Sequence, residues 1–451
     1  MTSPLRALQS RCFARPWWLA VWVGLSLSAC GGGIDTGPLL GTPAQTPPQT
    51  GQFIDSPVQG LGYVTSSGLS GTTDAQGRFQ FHAGDTITFR IAGVDIGSAT
   101  AGSAVTPASL VGGDEDSARF SNLLVMLQSL DSDGDPDNGI TLPADAPVAQ
   151  IAAIVARLSD DPLGFGDGFA NPELQDLAPG GYIRSVAEAL QHYERAQGLL
   201  NPFLNDASGV WQATGPDATD YVLRLSTTGR YVLSTIKASD SEHNGLEQGT
   251  LLIDAQGHWS AVDLKVDTNG SAGLSHPAAG EVMALSVAKD AQNADNDVLI
   301  LTRQADGANP VVLQFHRAPQ ADLAGAWSAS SELRPGGQVL LFGTPDAQSG
   351  LGRITVLDPE GELSCELGDR AIPGVELGEF LTDGSNLSFT SVSHDTNGCS
   401  GISDGGTTIG PLVYIVSADG QTLVLTLPAP EGSDEDSITF TLYRVSRPPS
   451  P

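Results

Sequence analysis

The spacing of hydrophobic residues changes three times along the chain. Residues 17–27 (WWLAVWVGLSL) are predominantly apolar, whereas residues 53–103 and the chain beyond residue 209 carry short runs in which apolar and polar residues alternate. Alternation predicts β-strands, and the Gly, Asp and Asn residues between the runs predict turns. Between these two regions, apolar residues recur every three or four positions, as on one face of a helix. We therefore expect a mainly β protein with a helical insert.

The helical insert covers residues 104–202 and is expected to contain three amphipathic helices. Acidic residues at 114–116 precede the first helix and suit a helix N-terminus. The apolar stripes, which predict faces packed on a core, are Phe120, Leu123, Leu124, Leu127 and Leu130; Val148, Ile151, Val155 and Leu158; and Ile183, Val186, Leu190 and Tyr193.

Six sequence blocks beyond residue 203 occur twice and in the same order. One pair is VDTNGSAGLS at 266–275 and HDTNGCSGIS at 394–403, and another matches VLRLSTTGRY at 222–231 with ITVLDPEGEL at 354–363. We therefore expect residues 203–318 and 319–446 to be two copies of one domain. Each copy should hold roughly seven or eight short antiparallel strands, in a barrel or a sandwich.

Each copy begins with Gly-x-Trp and ends with an arginine on its last strand, Arg317 or Arg444. This pairing is similar to the closure of lipocalins and calycins, which implies that the arginine packs across the tryptophan. Small barrels are either filled by side chains or hold one ligand, and the residues leave both interpretations open.

The repeated decapeptide has two interpretations. As scaffold, Asp267 or Asp395 accepts local backbone hydrogen bonds, and Asn-Gly supplies the positive φ values of a hairpin turn. As a site, it would hold Ca²⁺, but one carboxylate per repeat is too few ligands without help from elsewhere. We favour scaffold.

The amino-terminal segment predicts export and lipidation. Residues 1–29 combine three arginines with the short apolar run, which is typical of a secretory signal peptide. Residues 27–30 (LSAC) resemble the lipobox of bacterial lipoproteins, which implies that Cys30 carries the lipids and begins the mature chain. The residue after Cys30 is Gly31 rather than Asp, which by resemblance to Gram-negative lipoproteins favours the outer membrane, where the protein would face either the periplasm or the surface. Residues 30–52 predict a flexible tether, and 447–451 a short tail.

Two cysteines, Cys365 and Cys399, remain after the signal and the lipidated residue are set aside. In an oxidising envelope such a pair predicts a disulfide, which would stabilise the fold by roughly 3–4 kcal/mol. The repeat alignment places these cysteines opposite Leu233 and Ser271, so those two residues should be neighbours.

An acidic loop lies between the first two predicted helices. Carboxylates alternate along residues 131–139 (DSDGDPDNG) as they do at the start of an EF-hand loop. Pro136 and Leu142 then depart from that pattern. Ca²⁺ is therefore the candidate cofactor, and a polar turn without a metal is the alternative; the candidate ligands are Asp131, Asp133, Asp135 and Asp137.

Charge and motifs limit the function. With 21 basic and 52 acidic residues, the chain has a formal net charge of −31, which excludes nucleic acid as a favourable partner. The sequence carries no HExxH, G-x-S-x-G, P-loop, Rossmann or CxxC motif, and its seven histidines are scattered. We therefore expect a protein that is not an enzyme.

Residues 71–79 (GTTDAQGRF) resemble a turn of carboxypeptidase-regulatory-like β modules, which implies a small β module at residues 53–103. The order of tether, FIDSPV module and LDSDGDPDNGI loop resembles adhesin-like outer-membrane lipoproteins of proteobacteria. The resemblance implies a non-enzymatic lipoprotein, anchored in the membrane by its lipids, that binds protein or polysaccharide. The alternative is a carrier or sensor of a small apolar ligand inside one or both barrels.

Overall fold

A computed structural model describes the chain from residue 47, and the predicted tether (30–52) ends too late, since the first strand already begins at Gln49. The described residues are 47–237, 239, 244–254, 257–329, 337–360, 372–398, 402–404, 407–408, 411–428 and 437–445. The mainly β fold with a helical insert is confirmed, and no helix in these ranges is both long and apolar enough to cross a membrane. Cys30, Cys365 and Cys399 lie outside the described residues, so lipidation and the disulfide stay predictions.

The first β module forms two small sheets around aromatic side chains. Phe89 packs edge-on against Phe53 and Phe79, with ring centroids 4.8 and 5.3 Å apart. The strands are β1 (Gln49–Phe53), β2 (Val58–Gln59), β3 (Gly62–Thr65), β4 (Ser70–Thr72), β5 (Arg78–Phe81), β6 (Thr86–Ile91), β7 (Val94–Thr100) and β8 (Ala104–Val105). The order of strands is β4-β3-β6-β7 in one sheet and β5-β1-β8 in the other.

The helical region shares its core with this module. Strand β2 pairs in parallel with β9 of the helical region, and one continuous apolar cluster includes side chains from both parts. The elements are α1 (Pro107–Leu110), α2 (Ala118–Ser129), β9 (Ile140–Thr141), α3 (Val148–Ala156), α4 (Pro162–Phe165), α5 (Pro172–Leu177), α6 (Val186–Leu200) and α7 (Pro202–Ala207).

The predicted apolar stripes are largely buried. The first stripe lies wholly in the core, and Phe120 contacts Tyr193 of the third stripe with ring centroids 5.1 Å apart. Val148 is an exception, since it begins α3 and is 59% exposed. Ile183 lies before α6, which corresponds to the third predicted helix, because Ser185 caps α6 and forms a capping box with Glu188.

Residues beyond 208 form two eight-stranded, up-and-down antiparallel domains, here called barrel 1 and barrel 2. The strands of barrel 1 are β10 (Gly209–Thr214), β11 (Asp220–Leu225), β12 (Arg230–Ile236), β13 (Gly245–Ile253), β14 (Trp259–Asp267), β15 (Val282–Ala288), β16 (Val298–Gln304) and β17 (Val311–Arg317). Its sheet curls until β14 and β15 meet at a single bridge between His258 and Ala284.

Barrel 2 is closed. Its eight barrel strands are β18 (Gly325–Ala329), β19 (Val339–Phe342), β20 (Leu351–Asp358), β21 (Gly374–Thr382), β22 (Asn386–Asp395), β25 (Leu412–Val416), β26 (Thr422–Leu427) and β27 (Ile438–Arg444), and β23 (Ser403–Asp404) and β24 (Thr407–Thr408) form a hairpin between β22 and β25. The equal strand order in the two domains supports the predicted duplication.

Alternating residues fill each barrel and also join the two. Side chains on one face of the strands form a separate core inside each barrel, which includes Trp211 and Phe315 in barrel 1 and Trp327 and Phe380 in barrel 2. The opposite face of β10–β13 packs against the opposite face of β18–β20 through a further apolar cluster. The two barrels therefore bury an interface between their outer faces.

Strand registers correct one part of the repeat alignment. Leu233 pairs with Glu247, and Val356 pairs with Glu376 in the same place in barrel 2. Leu233 thus corresponds to Val356, whereas Cys365 follows β20 and lies outside the described residues. The alignment was wrong because short alternating strands resemble one another and the connections differ in length between the copies. The match of Ser271 with Cys399 is unaffected.

Candidate functional site

The arginine-over-tryptophan closure is present in both barrels. The guanidinium carbon of Arg317 lies 4.0 Å from the ring centroid of Trp211, and that of Arg444 lies 4.0 Å from Trp327. Each arginine also donates to two backbone carbonyls of the segment before the first strand, at 2.7–3.0 Å. The predicted packing is confirmed, and it fixes the last strand to the start of each domain.

Glu247 holds the decapeptide of barrel 1 in place. This side chain is fully buried on β13 and accepts hydrogen bonds from the hydroxyl of Tyr231, from the amide of Leu274 at 2.9 Å and from the hydroxyl of Ser275 at 2.8 Å. Leu274 itself belongs to the core of the barrel. The decapeptide is thereby tied to the wall of the barrel.

Barrel 2 repeats the arrangement. Buried Glu376 accepts from the amide of Ile402 at 2.6 Å, and Ile402 joins the core of that barrel. These contacts agree with the scaffold interpretation.

The predicted hairpin turn at Asn-Gly was wrong. In barrel 1, Asn269 has a φ of −98°, and of the two residues only Gly270 has a positive φ, at 56°. Both residues lie in a long connection before β15.

Backbone amides in and beside the acidic loop donate hydrogen bonds to most of the predicted calcium ligands. Asp131 is buried and accepts from the amide of Thr141 at 2.8 Å; burial and the nearby Asp133 raise its pKa to about 6. Asp133 accepts from the amide of Asp135, and Asp135 accepts from that of Asp137. Among the described residues, these carboxylates form no cluster of three potential ligands within 4.8 Å, and calcium binding here stays a prediction.

The carboxylate of Asp137 contacts two side chains of helix α6. Its Oδ1 lies 2.9 Å from Nδ1 of His192 and 2.9 Å from a guanidinium nitrogen of Arg195. Partial burial raises the pKa of Asp137, but the hydrogen bonds from Arg195 and His192 outweigh it and leave the pKa lowered. On the other side of the ring, Nε2 of His192 lies 3.0 Å from the hydroxyl of Ser56.

Ser56, His192 and Asp137 thus have the connectivity of a nucleophilic triad, which sequence reasoning missed. The imidazole is nevertheless only 1% exposed, while the Asp137 side chain is 63% exposed and shared with Arg195. Pro57 follows Ser56 and has no amide hydrogen to stabilise an oxyanion. The geometry suits a structural link that joins the FIDSPV turn, the acidic loop and α6.

Buried acids line the junction between the helical region and barrel 1. Glu115 accepts from the hydroxyl of Tyr193 at 3.1 Å and from that of Thr228 in barrel 1 at 2.8 Å. Burial raises the pKa of Glu115 to about 7, although the hydrogen bond from Thr228 opposes the shift. Glu194 contacts Thr227 across the same junction, and burial raises its pKa as well.

A cleft of about 740 Å³ lies between the two barrels. It is lined by polar and aliphatic side chains of both, and an ion pair between Arg353 and Asp220 crosses from one barrel to the other at 3.2 Å. Further lining residues are Tyr221 and His316 from barrel 1, and Asp346 and Glu379 from barrel 2. Such a surface can donate and accept hydrogen bonds and offers one aromatic ring for apolar contact.

No family model, no curated protein and no solved structure matches this chain. The resemblances to lipoproteins, regulatory-like β modules and lipocalins therefore rest on the residues quoted above.

The signal for Glu247 was present in the sequence. A glutamate recurs at the same place in the repeated blocks NGLEQGTLLID and PGVELGEFLTD, within otherwise apolar strands. A glutamate that is present in both copies of a buried strand indicates a carboxylate that holds a neighbouring segment by hydrogen bonds. The cleft had no such signal, since it depends on how two domains pack.

Proposed function

We propose that this chain is a membrane-anchored lipoprotein of the cell envelope that binds polysaccharide or protein through the cleft between its two barrels. The LSAC motif supports lipidation at Cys30, and Gly31 supports an outer-membrane location. The observation that carries the binding proposal is the cleft, because two domains fixed by an apolar interface contribute opposite walls to it.

The lining favours a ligand that carries both polar and apolar groups, because aliphatic side chains such as Val222, Ile236 and Leu377 lie beside the polar ones. Acidic, basic and hydroxyl groups from both walls face one space, and the aromatic ring of Tyr221 lies among them. A tyrosine side chain has an apolar ring and a polar hydroxyl group, so it can contact ligands that are neither wholly apolar nor wholly charged. A polysaccharide or an extended peptide fits this description.

Storage of an apolar ligand has less support. The interior of each barrel is occupied by its own side chains, among them Tyr231 and Phe315 in barrel 1 and Phe342 and Phe380 in barrel 2. A carrier would need an apolar cavity inside a barrel. Among the described residues, no observation favours the alternative of a carrier or sensor of an apolar ligand.

Binding is tested on arrays of bacterial and host glycans and on immobilised envelope proteins. The mature chain is compared with a double variant, Tyr221→Ala with Arg353→Ala, and with Phe169→Ala, which removes a fully exposed aromatic ring away from the cleft. We expect the double variant to lose binding and Phe169→Ala to retain it. Absence of saturable binding by the native chain would refute the proposal.

The anchor is tested separately by labelling producing cells with radioactive palmitate. The native chain should incorporate label and sediment with outer membranes, whereas Cys30→Ser should do neither. Label retained by Cys30→Ser would place the lipid elsewhere.

A further inference from the structure

Three potential metal ligands converge where the decapeptide leaves barrel 1. One ligand atom from each of Glu247, Asp267 and His276 lies within 4.8 Å of the others. Nε2 of His276 is 3.7 Å from Oδ2 of Asp267, while its Nδ1 is 2.9 Å from the hydroxyl of Ser275. The ring is thus held by one nitrogen with the other directed at the carboxylate, as in many metal-binding histidines.

Asn269 supplies a second and independent observation. Its side chain is fully buried, and neither the amide oxygen nor the amide nitrogen has a hydrogen-bond partner among the described residues. Leaving a buried amide without hydrogen bonds destabilises the folded chain. The anchor formed by Glu247 explains the hydrogen bonds of the decapeptide but gives this amide no partner.

The amide oxygen of Asn269 lies near the carboxylate of Glu247. A Cβ atom placed on Gly273 would lie 1.8 Å from Oε2 of Glu247 and 3.1 Å from Oδ1 of Asn269. Both oxygens therefore lie beside Gly273, and any side chain at position 273 would displace the Glu247 carboxylate. Two neighbouring oxygen acceptors repel each other unless a cation or a donor lies close to both.

We propose that Glu247, Asp267, Asn269 and His276 bind one divalent transition-metal cation, with Zn²⁺ as the preferred ion. One imidazole nitrogen with carboxylate and amide oxygens is a ligand set that suits Zn²⁺ better than Ca²⁺, which prefers oxygen alone. Glu247 comes from β13, Asp267 ends β14, and Asn269 and His276 lie in the connection between β14 and β15, so the ion would cross-link that connection to the barrel wall.

Internal duplication provides a natural comparison. Barrel 2 repeats Glu376, Asp395 and Asn397, and Asn397 is likewise buried with no partner for its amide among the described residues. The position of His276 is occupied by Asp404 in that copy. The imidazole is therefore specific to barrel 1, and the Zn²⁺ site is assigned there alone.

The site is tested by isothermal titration of the full mature chain with ZnCl₂ and, separately, with CaCl₂. The variants are His276→Ala and Asp267→Asn, whose native side chains are 48% and 22% exposed and whose replacement leaves the core intact. The matched control is His258→Ala, because His258 is an exposed histidine 3.1 Å from Asp254 and belongs to no cluster of three potential ligands in the part of the chain that the structure describes. Circular dichroism confirms that each variant is folded.

We expect one Zn²⁺ to bind the native chain, and each site variant to bind it at least about tenfold more weakly. Zn²⁺ should also raise the melting temperature of the native chain, but not that of His276→Ala. His258→Ala should behave as the native chain does. Equal losses in His276→Ala and His258→Ala, no saturable Zn²⁺ binding, or binding of Ca²⁺ alone would each overturn the proposal. None of these measurements depends on the cleft or its ligand.

Discussion

The two terminal arginines show how single residues hold this architecture together. Arg317 and Arg444 each combine stacking on a buried tryptophan with hydrogen bonds to two backbone carbonyls, one of which belongs to a buried residue, Ser208 or Ala324. Both roles need a planar guanidinium, since a lysine ammonium cannot stack and donate in several directions at once.

Replacement of Arg317 by methionine should lower the free energy of unfolding by about 2–4 kcal/mol. The variant loses the cation–π contact and leaves buried carbonyls without donors. Urea denaturation measures the loss, and Arg444→Met should show a similar one. Arg90→Met is the control, because Arg90 is 40% exposed and its ion pair with Asp95 should contribute no more than about 1 kcal/mol. Equal effects at Arg317 and Arg90 would contradict the role of the closure.

The hydroxyl of Ser56 should not react as a nucleophile. A fluorophosphonate probe labels activated serines, and the buried imidazole and the missing amide hydrogen at Pro57 argue against activation here. Mass spectrometry of the probe-treated chain should find Ser56 unmodified, with Ser56→Ala as reference. Labelling of Ser56 that disappears in His192→Ala would show a hydrolase-like site and contradict the non-enzymatic proposal.

The stability of the fold depends on pH through carboxyl groups that are buried where elements pack together. The pKa of Glu115 is about 7 in the folded chain, against an ordinary value of 4.5, so between these values the folded chain binds the extra proton. Stability from this group is therefore greatest below pH 4.5 and falls as the pH rises through 7. Ionisation at high pH weakens the contact between the helical region and barrel 1.

Glu115→Gln should accordingly stabilise the protein at pH 8, by on the order of 2–3 kcal/mol, and have little effect at pH 5. Glu188→Gln should do the opposite at pH 8. Burial raises the pKa of Glu188, but hydrogen bonds from Tyr182 and Ser185 outweigh it and leave the pKa lowered. Urea denaturation at the two pH values measures both. The same change in stability at pH 5 and pH 8 for Glu115→Gln would refute the assignment.

At the scale of elements, local patterns were sufficient for most strands and helices. Alternation predicted strands in both repeats, and the first helical stripe predicted a face that is fully buried. Leu233 was matched wrongly because register depends on pairing with β13, which no local pattern records. The partners of Asp137 were missed for a similar reason, since His192 is distant in sequence and reaches the loop only through packing of α6.

The whole molecule is organised around the pairing of two copies of one domain. Described apolar side chains pack inside each barrel, whereas the outer faces are apolar where they meet and carry both polar and aliphatic side chains in the cleft beside that contact. Duplication without such packing would give two separate modules. Packing converts them into one surface with two walls, and a ligand of the cleft should contact both.

The dissociation constant of a ligand identified on the arrays tests this account most directly. It is measured by calorimetry for the native chain and for two single variants, one on each wall: Tyr221→Ala in barrel 1 and Arg353→Ala in barrel 2. If the ligand contacts both walls, each variant should bind about tenfold more weakly or worse, which corresponds to at least about 1.4 kcal/mol per wall. Native affinity in either variant would show that the ligand does not span the two barrels, and would contradict the central claim.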